Sequence, residues 1–332
     1  MKRNVLKLVE ITGAIKGSEI SMKCFVTGGA GFIGSHLVDR LLQDGHEVTV
    51  FDNLSSGKKE FIAQHVEHDR FLFIRADLIE KNRVEKEIKD QDVVFHIAAN
   101  PDVRSGVDDP SMAEKDMQAT YNLLDAMRKH DVKKIVFSSS SVIYGETPAK
   151  PLPEDYGPLL PISVYGAAKL AGEGLISSFA HTFDMQAWMF RFANVVGIRG
   201  THGVIVDFIN KLKKNPHELE ILGDGKQKKP YLYVTECVDG IMHGFNHADE
   251  SLNVFNLGVD SATEVTRIAE LVVEEMKLEN VEFKYTGGKR GWKGDVPHFQ
   301  FDISKIKQLG WQPELSSDEA VRKAIRDLLD TL

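Results

Sequence analysis

The run Thr27-Gly28-Gly29-Ala30-Gly31-Phe32-Ile33-Gly34 constrains this chain more than any other stretch of it. Residues 23–27 before it read as a short buried strand. Residues 33–44 after it carry Ile33, Leu37 and Leu41 at helical spacing. Gly28, Gly31 and Gly34 thus fall three apart between a strand and a helix. Glycine permits the tight turn and lets the backbone come close to a pyrophosphate, while the helix N-terminus offers N–H groups to two negative charges. A plain glycine turn is the bland alternative, and the flanking elements weigh against it. Asp52 follows the next strand, 47–51, and lies 18 residues past Gly34. A carboxylate there accepts both hydroxyls of an adenine ribose and repels a 2′-phosphate, which selects NAD over NADP. Asp77, after a third strand, suits an adenine-edge contact.

The same alternation continues. Strands are predicted at 71–75, 92–97, 133–138 and 186–192, with helices at 82–89, 111–130 and 162–182. A Pro-rich loop spans 146–161. This pattern predicts an α/β fold, a Rossmann-like doubly wound parallel sheet. Beyond 195 the rhythm is irregular: short strands (220–222, 231–234, 253–256, 281–284) mix with helices (204–213, 236–247, 264–277, 316–330). We read this part as a smaller C-terminal α/β substrate-binding lobe. The expected division is therefore 22–195 for the NAD-binding domain and 196–332 for a lobe interleaved with it. Residues 1–21 read as an N-terminal extension, disordered or a start-site artefact, because Met22 directly precedes the first strand.

Charge and cysteine content narrow the partners. The 332 residues carry a net charge of −8, which argues against a nucleic-acid binder that works by bulk charge. No apolar run approaches the length of a membrane span. Two cysteines, Cys24 and Cys237, make no disulfide framework and fit a reducing cytoplasm. His65 and His68 lie close in sequence but show no third ligand, so no metal is expected. Trp292 could stack on a base, whereas Trp311 reads as packing for the last helix.

A second chemical signal is Tyr165-Gly166-Ala167-Ala168-Lys169 at the start of the long helix. Residues four apart share one helix face, and a neighbouring ammonium is expected to lower the phenol pKa toward that of a usable base. The serine run Ser138-Ser139-Ser140-Ser141 ends the fifth strand, where doubly wound sheets place their ligands.

With these motifs stand Asp-Asn-Leu-Ser-Ser-Gly at 52–57, His-Ile-Ala-Ala-Asn-Pro at 96–101, Arg-Phe-Ala-Asn-Val-Val-Gly at 191–197, Gly-Asp-Gly at 223–225 and Arg-Gly-Trp-Lys-Gly-Asp-Val-Pro at 290–297. The ordered set resembles the extended short-chain dehydrogenase/reductases over about residues 22–330. Within them it is most similar to the nucleotide-sugar epimerases, in an archaeal-type branch that acts on UDP-glucose. The resemblance implies that Tyr165 takes the sugar 4-hydroxyl proton, Lys169 binds the nicotinamide ribose and Ser140 bonds the reacting hydroxyl. Hydride would pass from sugar C4 to tightly bound NAD and return to the other face after the 4-keto sugar rotates. Cofactor contacts are implied for Gly28, Gly31, Phe32, Ile33, Gly34, Asp52, Asn53, Ser56, Gly57, Asp77, Leu78, Ala98 and Ala99. For the UDP-sugar, Asn194 would contact the diphosphate, residues around His202 and Val204 the uracil, and Asp295 the nucleotide ribose.

The chain also departs from the family pattern. Lys229-Pro230-Tyr231 stands where an arginine, an acid and an aromatic are usual, so Lys229 would carry the diphosphate, with Arg290 or Lys293 supplying the missing contact. Asp116 replaces a common asparagine. Ser141 and Val142 occupy positions where dehydratases carry acids, which leaves epimerisation, and the glutamate of the decarboxylases is absent too. Phe299 is expected to fill space beside the sugar C2. It favours UDP-glucose and UDP-galactose over N-acetylated sugars, while UDP-glucuronate stays open. A non-catalytic NAD-sensing relative is the reading from another class, and the presence of both Tyr165 and Lys169 counts against it. The resemblance further implies a homodimer, with the helices near 111–130 and 162–182 forming a four-helix bundle.

Overall fold

The computed structural model describes residues 21–100, 105–147 and 151–331; of the expected extension over 1–21, only Ser21 falls within these. The first half of the chain alternates as expected: β1 (Lys23–Thr27), α1 (Phe32–Gln43), β2 (Glu47–Asp52), β3 (Phe71–Arg75), α2 (Lys81–Glu87), β4 (Val93–His96), α3 (Ser111–Lys129), β5 (Lys134–Ser140), α4 (Val164–Phe183) and β6 (Gln186–Phe192). Then follow β7 (Asn194–Val196), α5 (Val204–Lys214), β8 (Glu218–Ile221), β9 (Lys228–Lys229), β10 (Tyr231–Tyr233), α6 (Val234–His247), β11 (Leu252–Leu257), β12 (Thr263–Glu264), α7 (Val265–Glu275), β13 (Glu282–Tyr285), α8 (Ser304–Gln308) and α9 (Ser317–Leu329).

Seven strands form one sheet in the order β11-β6-β5-β4-β1-β2-β3. All its pairings are parallel. Strands buried on both faces need continuous apolar runs, and Cys24–Val26 and Val93–Phe95 provide them. On one face, α1 and α6 bury Leu37, Val38 and Leu41 with Val238, Ile241 and Phe245. On the other, α3 and α4 bury Leu123, Leu124, Met127, Ile176 and Ala180. A third core joins α5, α7 and α9 through Ile209, Leu212, Leu271, Val272, Val321 and Ile325.

One element departs from its expected place. The strand predicted at 253–256 belongs to the main sheet, where β11 pairs Leu252–Leu257 with Ala187–Phe192. Strand β5 also runs on through Ser140, beyond the expected end at 138. The chain order of strands reverses between β4 and β1, and there the sheet opens a crevice at its carboxyl edge.

Candidate active site

A cleft of about 1010 Å³ runs along that edge, between the sheet and the C-terminal lobe. At one end lies the glycine turn. Gly31 N–H donates to the Gly28 carbonyl at 3.0 Å and closes it. A Cβ on Gly28, whose φ is +71°, would sit 2.7 Å from Ala98 Cα, and one on Gly34 would sit 2.1 Å from the Gly28 oxygen. No side chain caps α1, and no acid occupies its first turn. Its first N–H groups therefore offer an anion site. Asp52 is buried at the end of β2. Its carboxylate accepts from Ala30 N–H at 3.0 Å and Leu54 N–H at 2.8 Å, which leaves a second lone pair on each oxygen. Burial raises its pKa, and those two N–H bonds work against the rise. Asp77 accepts from Asn53 Nδ2 at 2.8 Å, so the two side chains line the cleft as a pair. A bare helix terminus with a buried carboxylate one strand away is the donor set that a dinucleotide takes.

The cleft is also lined by the three groups expected to react, Ser140, Tyr165 and Lys169. Ser140 is the last residue of β5, and Tyr165 and Lys169 lie in the first two turns of α4, which Ser163 caps by accepting from Gly166 N–H at 3.1 Å. Lys169 is buried, and its Nζ donates to the Ser138 carbonyl at 2.6 Å. Burial brings the Lys169 pKa down to about 8, opposed by Asp116 and Glu173. The expected effect on Tyr165 is corrected here. Burial, and then Asp116, push its phenol well above the usual range, and only the hydrogen bond with Ser140 works the other way. The Lys169 ammonium bonds Ser138 and lies 5.8 Å from the centre of the Tyr165 ring. Asp116 itself accepts from Asn100 N–H, and burial raises its pKa.

Behind this layer is a buried network that the motifs did not announce. Arg191 donates from Nη2 to Glu173 at 2.8 Å and from Nη1 to Tyr144 Oη at 2.7 Å. Glu173 also accepts from Ser139 Oγ at 2.5 Å. Glu173 lies one turn past Lys169 on α4, and that i, i+4 spacing was its available signal. A second buried chain joins Thr27 Oγ1 to His96 Nδ1 at 2.8 Å and His96 Nε2 to Thr120 Oγ1 at 3.0 Å. Burial brings the His96 pKa down to about 3, so the ring stays neutral.

The far end of the cleft carries the expected substrate residues, with corrections. Asn194, Val204, Tyr231 and Phe299 line it, and so do Lys229 and Asp295. These last two are not separate. Lys229 Nζ donates to Asp295 at 2.6 Å, so the expected cation and the expected ribose acid hold each other. Arg290 does not face the cleft; it pairs with Glu146 at the surface, and Lys293 is exposed. Among the expected cofactor contacts, Phe32, Ile33, Ser56, Leu78, Ala98 and Ala99 line the cleft, but Gly57 does not. Gly57 packs against the back of the glycine turn, where a Cβ would meet the Ala30 carbonyl at 3.0 Å. Away from the cleft, His65 bonds Asp39 at 2.6 Å, and no group of His, Cys, Asp and Glu able to hold a metal occurs among the described residues. Cys24 and Cys237 are buried free thiols; burial pushes Cys24 up to about 12 and Cys237 higher still, so Cys237 is not reactive. Trp311 is buried, but it packs on α6, where a Cβ on Gly240 would lie 3.1 Å from its ring, and not in the core of the last helix as expected.

The sequence model of the NAD dependent epimerase/dehydratase family matches residues 24–258. The chain belongs to this family. A putative UDP-glucose 4-epimerase of Methanocaldococcus jannaschii is 35% identical over 307 residues, covering 90% of this chain and 96% of that protein. A crystal structure of a UDP-galactose 4-epimerase superimposes with a TM-score of 0.84 at 41% identity, over 94% of this chain and all of that one. The Thermus thermophilus UDP-glucose 4-epimerase in complex with NAD superimposes with a TM-score of 0.83 at 30% identity, covering 94% of this chain and 100% of that one. NAD is the cofactor of this family, and the chemistry of the glycine turn, the uncapped helix and Asp52 fits it. No helix among the described residues is long and apolar enough to cross a membrane.

Proposed function

We propose that the chain is an NAD-dependent nucleotide-sugar 4-epimerase that interconverts UDP-glucose and UDP-galactose. The observation that carries this reading is the gathering of Ser140, Tyr165 and Lys169 at the middle of one cleft whose end is a dinucleotide cradle. Bound NAD supplies the hydride acceptor and donor at the sugar C4, so the reaction is redox-neutral overall. The chain supplies the rest. Tyr165 takes the 4-hydroxyl proton and returns it, Ser140 holds that hydroxyl, and Lys169 anchors the ribose beside them. Any positive charge entering the cleft acts against the burial that holds the Tyr165 proton.

The neighbouring residues favour epimerisation over elimination. Ser141 and Val142 line the cleft just past Ser140, and neither can remove a second proton. Phe299 lines the substrate end with its ring 5.3 Å from that of Phe301, which supports a site closed to a bulky C2 substituent. Asn194 Nδ2 is buried without a partner, a donor ready for a phosphate oxygen. Residues around His202 and Val204 are assigned to the uracil.

The reading places the protein in the cytoplasm as a homodimer joined through α3 and α4. An aromatic stripe supports that surface: Tyr121 is 42% exposed, lies 6.2 Å from Phe179, and Phe183 follows at 5.1 Å.

The test is proton NMR of the purified protein with UDP-galactose and no added cofactor. Accumulation of UDP-glucose to a fixed ratio is expected. Tyr165→Phe should lose on the order of a hundredfold or more in turnover and keep its NAD content. No conversion, with NAD added or without, would remove the glucose/galactose assignment.

A further inference from the structure

Three buried polar side-chain atoms in the cleft wall have no partner: Asn194 Nδ2, Trp292 Nε1 and Gln227 Oε1. Buried polar atoms are almost always paired, so unpaired ones that line a cleft point to groups left for a ligand. Gln227 is the strongest of the three. Its side chain is 2% exposed, and its Nε2 donates to the Leu222 carbonyl at 3.1 Å. That carbonyl fixes the amide. The reverse orientation would set oxygen against oxygen, so Oε1, an acceptor, is the atom left over. The backbone is held as firmly, since Gln227 O accepts from Val265 N–H at 3.0 Å. The turn before it makes room for the amide: at Gly223, with φ of +81°, a Cβ would sit 1.9 Å from Gln227 Nε2.

A lone acceptor in a dry wall selects a ligand donor. Phosphate oxygens offer none. A UDP-sugar carries only one N–H, the imino N3–H of uracil; its other donors are hydroxyls of ribose and hexose. The hexose must reach Tyr165 in the middle of the cleft, and the segment 290–295 runs from the Gln227 turn toward that point: a Cβ on Gly223 would lie 3.1 Å from the Arg290 carbonyl, whereas one on Gly294 would lie 3.2 Å from the Ile162 carbonyl just before α4, so Asp295 with its partner Lys229 is on the Tyr165 side. On the reading that the substrate is a UDP-sugar, we propose that Gln227 reads the base, accepting the imino N3–H of uracil, and that Trp292 donates its indole N–H to an oxygen of the same nucleotide. Gln227 then discriminates against cytosine, whose N3 is an acceptor and would face the amide oxygen unpaired.

The experiment is calorimetric titration of the NAD-loaded protein with UDP, CDP and N3-methyl-UDP, for wild type and Gln227→Leu. The wild type should bind UDP more tightly than either analogue by on the order of tenfold to a hundredfold. Gln227→Leu should lose that preference, its affinity falling for UDP and holding for CDP. Equal loss for UDP and CDP would assign Gln227 to the ribose and overturn the proposal, and so would wild-type binding that does not distinguish the three nucleotides. The wild-type comparison stands even if the variant fails to fold. Trp292→Phe, which keeps the ring and drops the N–H, should weaken both UDP and CDP. Unchanged binding there would remove Trp292 from the site. A protein that epimerises UDP-galactose and yet ignores the base refutes this inference alone, whereas failure to bind UDP at all refutes the substrate reading.

Discussion

Tyr165 and Lys169 share one carboxylate neighbour. Asp116 raises both pKa values, against burial at Lys169 and together with burial at Tyr165. Replacing it by asparagine, the residue common in the family, should lower both. The acid limb of the kcat/KM profile, which needs the phenol able to give up its proton, then moves to lower pH. The alkaline limb, where Lys169 loses its charge, moves the same way. A shift of about half to one unit is expected; an unmoved profile would remove Asp116 from control of the pair. The same lysine links to stability. Its folded pKa of about 8 lies below the ordinary 10.5, so the unfolded chain holds that proton more tightly and this group's contribution to stability rises with pH between those values. At this scale the site was legible where a motif names its own chemistry: Gly28, Asp52, Ser140, Tyr165 and Lys169 all reach the cleft. It was not legible where the chemistry depends on a partner far along the chain. Lys229 reads as a free cation until Asp295, 66 residues on, is seen against it. The Tyr165 phenol reads as lowered until its burial is known.

Among the elements, the strands with continuous apolar sequence were legible almost to the residue: β1, β3 and β6 begin and end where the pattern predicts. Strand β9 and strand β12 are two residues each, too short for any periodicity to show. The strand predicted at 133–138 stops two residues short, because the apolar run ends at Phe137, yet Ser138–Ser140 pair in register with Phe190–Phe192. What secures that strand end against α4 is the Glu173–Arg191 pair, whose side chains are 7% and 6% exposed. A buried charge left without its partner is expensive. Glu173→Met should therefore destabilise the NAD-loaded protein by about 3–5 kcal/mol, and the double replacement Glu173→Met/Arg191→Met by less than that. Chemical denaturation of the three proteins measures both. A cost below about 1 kcal/mol for the single change would mean that the pair is dispensable.

At the scale of the whole molecule, the stripe of Tyr121, Phe179 and Phe183 gives the outer face of α3 and α4 something to pair with. Sedimentation of the NAD-loaded protein should give twice the 37.1 kDa chain mass, and Tyr121→Glu should shift the distribution toward the single chain. A wild-type protein that sediments as one chain at micromolar concentration would end the dimer reading.

Strand β11 has a further consequence. The chain leaves the sheet after β6, builds most of the lobe's cleft wall, and then comes back to lie beside β6 before leaving again. Arg199 adds a stitch across the gap to Asp39 of α1 at 2.8 Å, and His36 another to the Ile198 carbonyl at 3.1 Å. The two lobes are therefore laced, not hung on a single thread. A break at residue 195 would not divide the molecule into two pieces, because it would strip the last strand from the sheet and bare the ladder edge of β6. The walls of the cleft are held together by the sheet itself, so parting them would unpick the strands that made them.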